Sequence, residues 1–249
     1  MDVTSHVGPE KFVIDCLEIL RQPLSGFKVT VSIFSVPTVA IRERVLLIFP
    51  VLLTYYNQSC RSTKGCDLMV TTCVRVAYDL GLHKLDENEP DLENPEYWAS
   101  KEEQRRAWWC VWELDTFDSI SSRRPFTINW NRVSVCLPVS DEAWFAKMPI
   151  KSAMLSSDIL HCWKALKDSP NQDERAWFLI SNYILAQALE LCQQRYVSSK
   201  SINDIETVVS CFSLLFHEKF RKTVNNLIFD DNTYGKSTWT ILTQLMVQS

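Results

Sequence analysis

The chain has 249 residues, 46 % of them apolar and 22 % charged, with a net charge of −4 at pH 7, nine cysteines and only five glycines. Glycines this sparse leave no GxGxxG dinucleotide loop, no GxxxxGK[ST] phosphate loop and no GxSxG nucleophile elbow. Basic residues never run longer than two, as in Arg105-Arg106, so no basic patch draws the chain to nucleic acid over long range.

In chain order, the opening MDVTSHVGPE lacks a basic stretch followed by an apolar one, so no secretory signal is expected. Residues 9–22 predict a first helix, with Phe12, Cys16, Ile19 and Leu20 on one face. Residues 39–57 predict a second, strongly apolar helix that Pro50 splits or kinks. Its run from Val45 to Tyr56 is shorter than the roughly 20 residues a bilayer requires, so a buried helix and no membrane association are expected. Residues 66–80 carry Met69, Cys73, Val76, Ala77 and Leu80 at helical spacing, and Gly81 supplies the stop. Acids at 86, 87, 89, 91, 93 and 96 then predict a solvated connector.

Residues 101–121 predict a further helix, in which Glu102 stands three and four positions before Arg105 and Arg106, and Glu103 three before Arg106. Residues 125–149 mix β-branched residues with Pro and Asn and predict irregular chain. Amphipathic helices are expected over 151–167, 173–196, 202–227 and 234–247, with Ile205, Val209, Phe212 and Phe216 forming a core or partner stripe. The expected class is all-α: a single multi-helix domain of antiparallel and orthogonally packed helices over residues 1–249.

Nine cysteines without a CxxC pair read as reduced, mostly buried thiols rather than a metal site or a disulfide framework. Asp230-Asp231 and Asn203-Asp204 each lack the residue that would complete a magnesium–diphosphate site, since Tyr234 and Cys211 stand there. His6, His83, His161 and His217 fall in no catalytic spacing, and Asp141-Glu142 reads as a helix start. No catalytic residue, cofactor or metal is assigned, and the chain is not expected to be an enzyme.

Two segments combine rare residues in a fixed order. One runs Cys73-Val-Arg75-Val-Ala77-Tyr-Asp79-Leu80-Gly81-Leu82-His83. The other runs Glu102-Glu-Gln104-Arg105-Arg106-Ala-Trp108-Trp109-Cys-Val-Trp112-Glu-Leu114-Asp115 and continues to Arg123-Arg124-Pro125 and Leu137-Pro138. Arg105, Trp108, Trp112, Asp115 and Ser119 lie at steps of three or four on one helix face. Each indole brings an N–H that needs an acceptor. A buried Asp115 needs a partner, for which Arg124 is the leading cation and Arg75 and Arg106 are alternatives. Asp115 is thereby expected to tie the Arg-Pro loop to the helix; the alternative is that these charges line a ligand-sensing pocket.

These segments resemble the fungal-specific transcription factor domain, the middle homology region found downstream of the zinc cluster in fungal regulators. Its pattern is approximately AxRxAxxLGLH, an acidic loop, ExRRRxWWxxxxLDRxxSxxxGRP, then LP, and the best-matched core spans about 45–144. Cys73, Tyr78, Gln104, Thr116 and Arg123 depart from that pattern, the last replacing the glycine before Arg-Pro. If that position takes a positive φ, Arg123 carries about 1 kcal/mol of strain.

The resemblance implies a nuclear regulatory or interaction module for transcription, with secondary metabolism and a biosynthetic gene cluster as its setting. It implies protein partners, either a full-length zinc-cluster regulator or a second copy, and only indirect contact with DNA. No zinc-cluster domain is recognised in the 249 residues, so zinc is expected only if a longer product carries one upstream. The chain reads equally as a stand-alone regulator, a fragment or a relic. A helical domain that responds to a small-molecule effector is the alternative function, and an unrecognised enzyme on the same fold a more remote one.

Overall fold

A computed structural model describes residues 66–88, 93–225 and 234–248; the helices expected over 9–22 and 39–57 lie outside them. The described residues form seven α-helices and no sheet. They are α1 (Cys66–Asp79), α2 (Pro95–Ser122), α3 (Asp141–Phe145), α4 (Lys164–Lys167), α5 (Glu174–Gln193), α6 (Ser199–Asn225) and α7 (Tyr234–Gln248). The class is all-α, as the periodicity predicts. Helix α5 packs against α2, α6 and α7, and α1 packs against α2.

Helix α2 begins six residues earlier than its charge pattern suggests. The Asn94 side chain accepts the Tyr97 N–H at 3.1 Å, and Pro95 occupies the first helical position, where it loses no hydrogen bond. The early start places Trp98 in a small core with Val139 and Ala143. Further along, Trp108, Trp109, Val111, Trp112 and Leu114 enter the main core from several sides of the helix.

The ends of the helices follow local chemistry. Gly81 takes φ 71° after α1, a conformation that penalises any L side chain; a Cβ there would meet nothing within 4 Å, so backbone freedom is what the glycine supplies. Asp173 caps α5 by accepting the Arg175 N–H at 3.0 Å, and residues 176–184 of that helix are buried. On α6, Val208, Phe212, Phe216 and Phe220 form the buried stripe. Val209 packs at its edge and Ile205 is half-buried.

Two expectations fail. The amphipathic helix over 151–167 reduces to a 3-10 turn at Ile159–His161 and the single turn of α4. The residues before it are drawn out to partner the Leu-Pro segment. Leu137 N–H donates to the Ala153 carbonyl at 2.8 Å, Ser152 Oγ donates to the Leu137 carbonyl at 2.6 Å, and Cys136 bridges Met154. Asp158 then caps the 3-10 turn rather than continuing a helix. The acidic connector is also not simply solvated: Asp86 is buried and Glu96 lies in the first turn of α2. Of the described cysteines, Cys73, Cys136 and Cys162 are buried and Cys110 is half-buried, but Cys192 and Cys211 are exposed.

Candidate functional site

Five charged side chains, Asp86, Glu102, Arg105, Arg106 and Asp141, meet where α2 crosses residues 134–141. Arg105 donates two bonds to Asp86, at 2.8 and 2.6 Å, and a third to Glu102 at 3.3 Å. Arg106 donates to the other Glu102 oxygen at 3.3 Å, to Asp141 and to the Val139 carbonyl at 2.6 Å. Its guanidinium lies 4.5 Å from the Trp144 ring. The remaining carboxylate valences go to backbone: Cys136 N–H donates to Asp86 and Val139 N–H to Glu102, both at 2.9 Å. Trp109 Nε1 donates to the Cys136 carbonyl at 2.8 Å. The Arg-Arg-x-Trp-Trp run therefore works as a latch that fastens the Leu-Pro segment to α2. Leu137 is fully buried beneath it, and Asn171 completes the seal by donating to the Pro138 carbonyl at 2.8 Å.

The two buried acids of the latch titrate in opposite directions. Burial alone would raise the pKa of Asp86, but the hydrogen bonds and charge of Arg105 hold it below the ordinary carboxylate value. For Glu102 burial prevails and its pKa rises, because its arginine contacts are longer. Arg105 is raised in turn by Asp86 and Glu102, despite its own burial. Burial pushes the Cys136 thiol to about 12 and the Cys162 thiol likewise, so neither supplies a thiolate nucleophile at neutral pH.

Asp115 joins the Arg-Pro loop to α2, but not through a cation. Its carboxylate accepts the Thr127 N–H at 3.1 Å and the Ile128 N–H at 2.9 Å. Burial raises its pKa, and no arginine offsets the burial. Arg124 lies 3.8 Å from Asp118 on the surface instead, and Arg75 makes an exposed i,i+4 pair with Asp79 at 3.2 Å. Backbone amides serve where a cation was expected because the loop turns back over the helix end and presents two N–H donors there, that of Ile128 buried and that of Thr127 partly so. That turn is set by Arg123, at φ 55° and ψ 41°, whose N–H and that of Arg124 both donate to the Ser119 carbonyl. The position does take the left-handed conformation, so Arg123 bears strain that glycine would not.

The remaining motif residues pack. Trp112 sits 5.4 Å from Trp109 and from Trp130, edge to face. Trp108 lies 5.9 Å from Tyr78 and 6.3 Å from His83. The Trp108 Nε1 and His83 Nδ1 atoms are buried with no partner among the described residues, contrary to the acceptor expected for each indole. Burial lowers the His83 pKa and keeps the ring neutral. Pro125 is exposed at the rim of a cleft. That cleft, of about 850 Å³, lies between residues 125–131, the turn at 157–159, the last turns of α5 and the first of α6.

Asp86, Asp141 and Asn171 join the site although the sequence assigns Asp86 to a solvated connector and Asp141 to a helix start and gives Asn171 no role. One signal for Asp86 was available. An arginine on an indole-bearing, buried helix face requires a buried acid, and Asp86 is the first carboxylate after the Gly81-Leu82-His83 turn. Among the described residues no group of three or more His, Cys, Asp or Glu side chains could hold a metal ion, and no helix is long and apolar enough to cross a membrane.

The family model of the fungal specific transcription factor domain matches residues 46–156, a span that includes α1, α2 and the Leu-Pro segment. The chain is also similar over part of its length to transcriptional regulators of fungi. It is 34 % identical over 76 residues to the pigment biosynthesis transcriptional activator pigB of Monascus ruber, covering 29 % of this chain and 14 % of that protein. It is 27 % identical over 84 residues to the transcription factor tazR of Aspergillus terreus, covering 34 % and 13 %. It is 28 % identical over 108 residues to an ascochitine biosynthesis cluster transcriptional regulator of Didymella fabae, covering 43 % and 19 %. The matches thus span less than a fifth of each relative's length. No solved structure matches the chain.

Proposed function

We propose that the chain is a regulatory and interaction module for transcription, acting on a fungal biosynthetic gene cluster. The observation that carries this reading is the match of residues 46–156 to the fungal specific transcription factor domain. That span contains the charged latch residues Asp86, Glu102, Arg105, Arg106 and Asp141 and the Arg-Pro loop. Relatives named as regulators of pigment and ascochitine biosynthesis support the setting. The 249 residues act as one helical unit without a zinc cluster. The motif residues Arg105, Arg106, Trp109 and Asp115 serve architecture, and the unit is not an enzyme. It works in the nucleus by binding protein, either a full-length zinc-cluster regulator or a second copy, and meets DNA only through that partner.

The test is genetic and biochemical together. Loss of the chain should change transcript levels of a biosynthetic cluster, and the tagged protein should co-precipitate with a zinc-cluster regulator of the same genome or with itself. The purified chain should give no sequence-specific mobility shift. Unchanged transcripts with no co-precipitation, or a shift resistant to salt and competitor DNA, would overturn the reading. The cleft beside the Arg-Pro loop favours one addition to it, an effector site.

A further inference from the structure

We infer that the cleft bounded by the Arg-Pro loop, α5 and α6 is a binding site for a planar aromatic ligand that carries a positive charge. This deepens the regulatory reading by giving it an effector site. Its test reads binding by the purified chain, so its failure is distinguishable from a failure to affect transcription.

The size fits a small molecule: about 850 Å³, against roughly 300–1,000 Å³ for small-molecule sites. One side presents aromatic surface. Phe126 and Trp130 lie 4.9 Å apart edge to face, and Trp130 and Tyr183 lie 4.9 Å apart at 42°. Such rings offer flat, electron-rich faces to another ring or to a cation. Further along α5 from Tyr183, and on α6, the lining is polar. Gln187, Glu190 and Asp204 line the cleft, and none makes a hydrogen bond or ion pair among the described residues.

Charge selects the ligand. Two carboxylates, Glu190 and Asp204, line the cleft, and among the described residues no lysine, arginine or histidine does. An anion would face repulsion there with no donor cation to offset it, whereas a protonated amine on an aromatic frame meets carboxylates and ring faces at once. The walls are fixed before any ligand arrives. Asp115 holds Thr127 and Ile128, and Tyr183 Oη donates to the Ser157 carbonyl at 2.9 Å. A site already ordered loses little freedom on binding.

The experiment is a fluorescence titration of the full chain with two probes of similar size, the aromatic cation thioflavin T and the aromatic sulfonate 8-anilinonaphthalene-1-sulfonate. The cation should bind saturably at one site, more tightly than the sulfonate, and more weakly as salt rises. The Glu190→Gln/Asp204→Asn double variant should lose about tenfold in cation affinity while keeping its thermal midpoint. Because Glu190 is exposed and Asp204 half-buried, the exchange leaves the core untouched. A sulfonate that binds as tightly as the cation, or a double variant with undiminished cation affinity, would overturn the inference.

Discussion

Replacing Asp86 by asparagine keeps the volume of the side chain and removes the charge that faces Arg105. Both groups are almost fully buried, and they share bonds of 2.8 and 2.6 Å. Removing one partner of such a pair leaves a charge in a poorly solvated site and typically costs about 3–5 kcal/mol. Arg105 retains Glu102 at 3.3 Å, which holds the cost towards the lower end. The Cys136 amide, which now donates to Asp86, risks meeting the new side-chain NH₂, adding about 1 kcal/mol.

A total near 3–4 kcal/mol is a large share of the roughly 5–15 kcal/mol stability of a domain. With urea slopes of about 1–3 kcal/mol per molar, the unfolding midpoint should fall by about 1–4 M. Arg105→Met should cost a similar amount. The double variant Asp86→Asn/Arg105→Met should cost less than the sum of the two by at least about 2 kcal/mol, because it leaves no buried charge without its partner at this contact. An Asp86→Asn variant within about 1 kcal/mol of the parent, or additive costs, would refute the latch as a coupled buried pair.

Three further outcomes follow from the same geometry. Arg123→Gly should raise stability by about 0.5–1 kcal/mol, seen as a rise of about 1–4 °C in the thermal midpoint, since glycine adopts the left-handed conformation without penalty. Asp115→Ala should cost about 2–4 kcal/mol by orphaning the Thr127 and Ile128 amides, and Asp115→Asn should cost less because one acceptor oxygen remains; urea unfolding of both variants decides the order. Burial pushes Asp173 up to about 6. The folded chain therefore holds a proton that the unfolded chain releases near pH 4, and this group's contribution to stability falls as pH rises from about 4 to about 6. Asp173→Asn should flatten the unfolding free energy from urea titrations across that window by about 1–3 kcal/mol while keeping the cap on α5.

The helices were legible in the sequence because their signals are local. Gly81 marks a stop and Phe212 and Phe216 repeat at helical spacing, and in each case neighbouring residues carry the information. The Asn94-Pro95 start was equally local, but it stood inside a run of acids that read as solvent-facing loop. The partners of the latch were not legible, because each is chosen by the return of a distant segment. Arg105 finds Asp86 nineteen residues back, and Glu102 finds the Val139 amide thirty-seven residues ahead. The side-chain pattern announced that Asp115 needs a partner, but could not tell a cation from two backbone amides. The residues over 151–167 failed for a related reason: a helical pattern of apolar residues yielded to extended pairing with the Leu-Pro segment.

Amide hydrogen exchange, read residue by residue, tests the central claim most directly. The claim is that buried carboxylates on or against α2 hold the two following loops by their backbone amides. Cys136, Val139, Thr127 and Ile128 lie outside any α-helix and donate to Asp86, Glu102 and Asp115. Their amides should be protected to the same degree as the core amides of α2, and Asp115→Ala should release Thr127 and Ile128 while leaving Cys136 and Val139 protected. Exchange of all four at the rate of open loop amides in the parent protein would contradict the account.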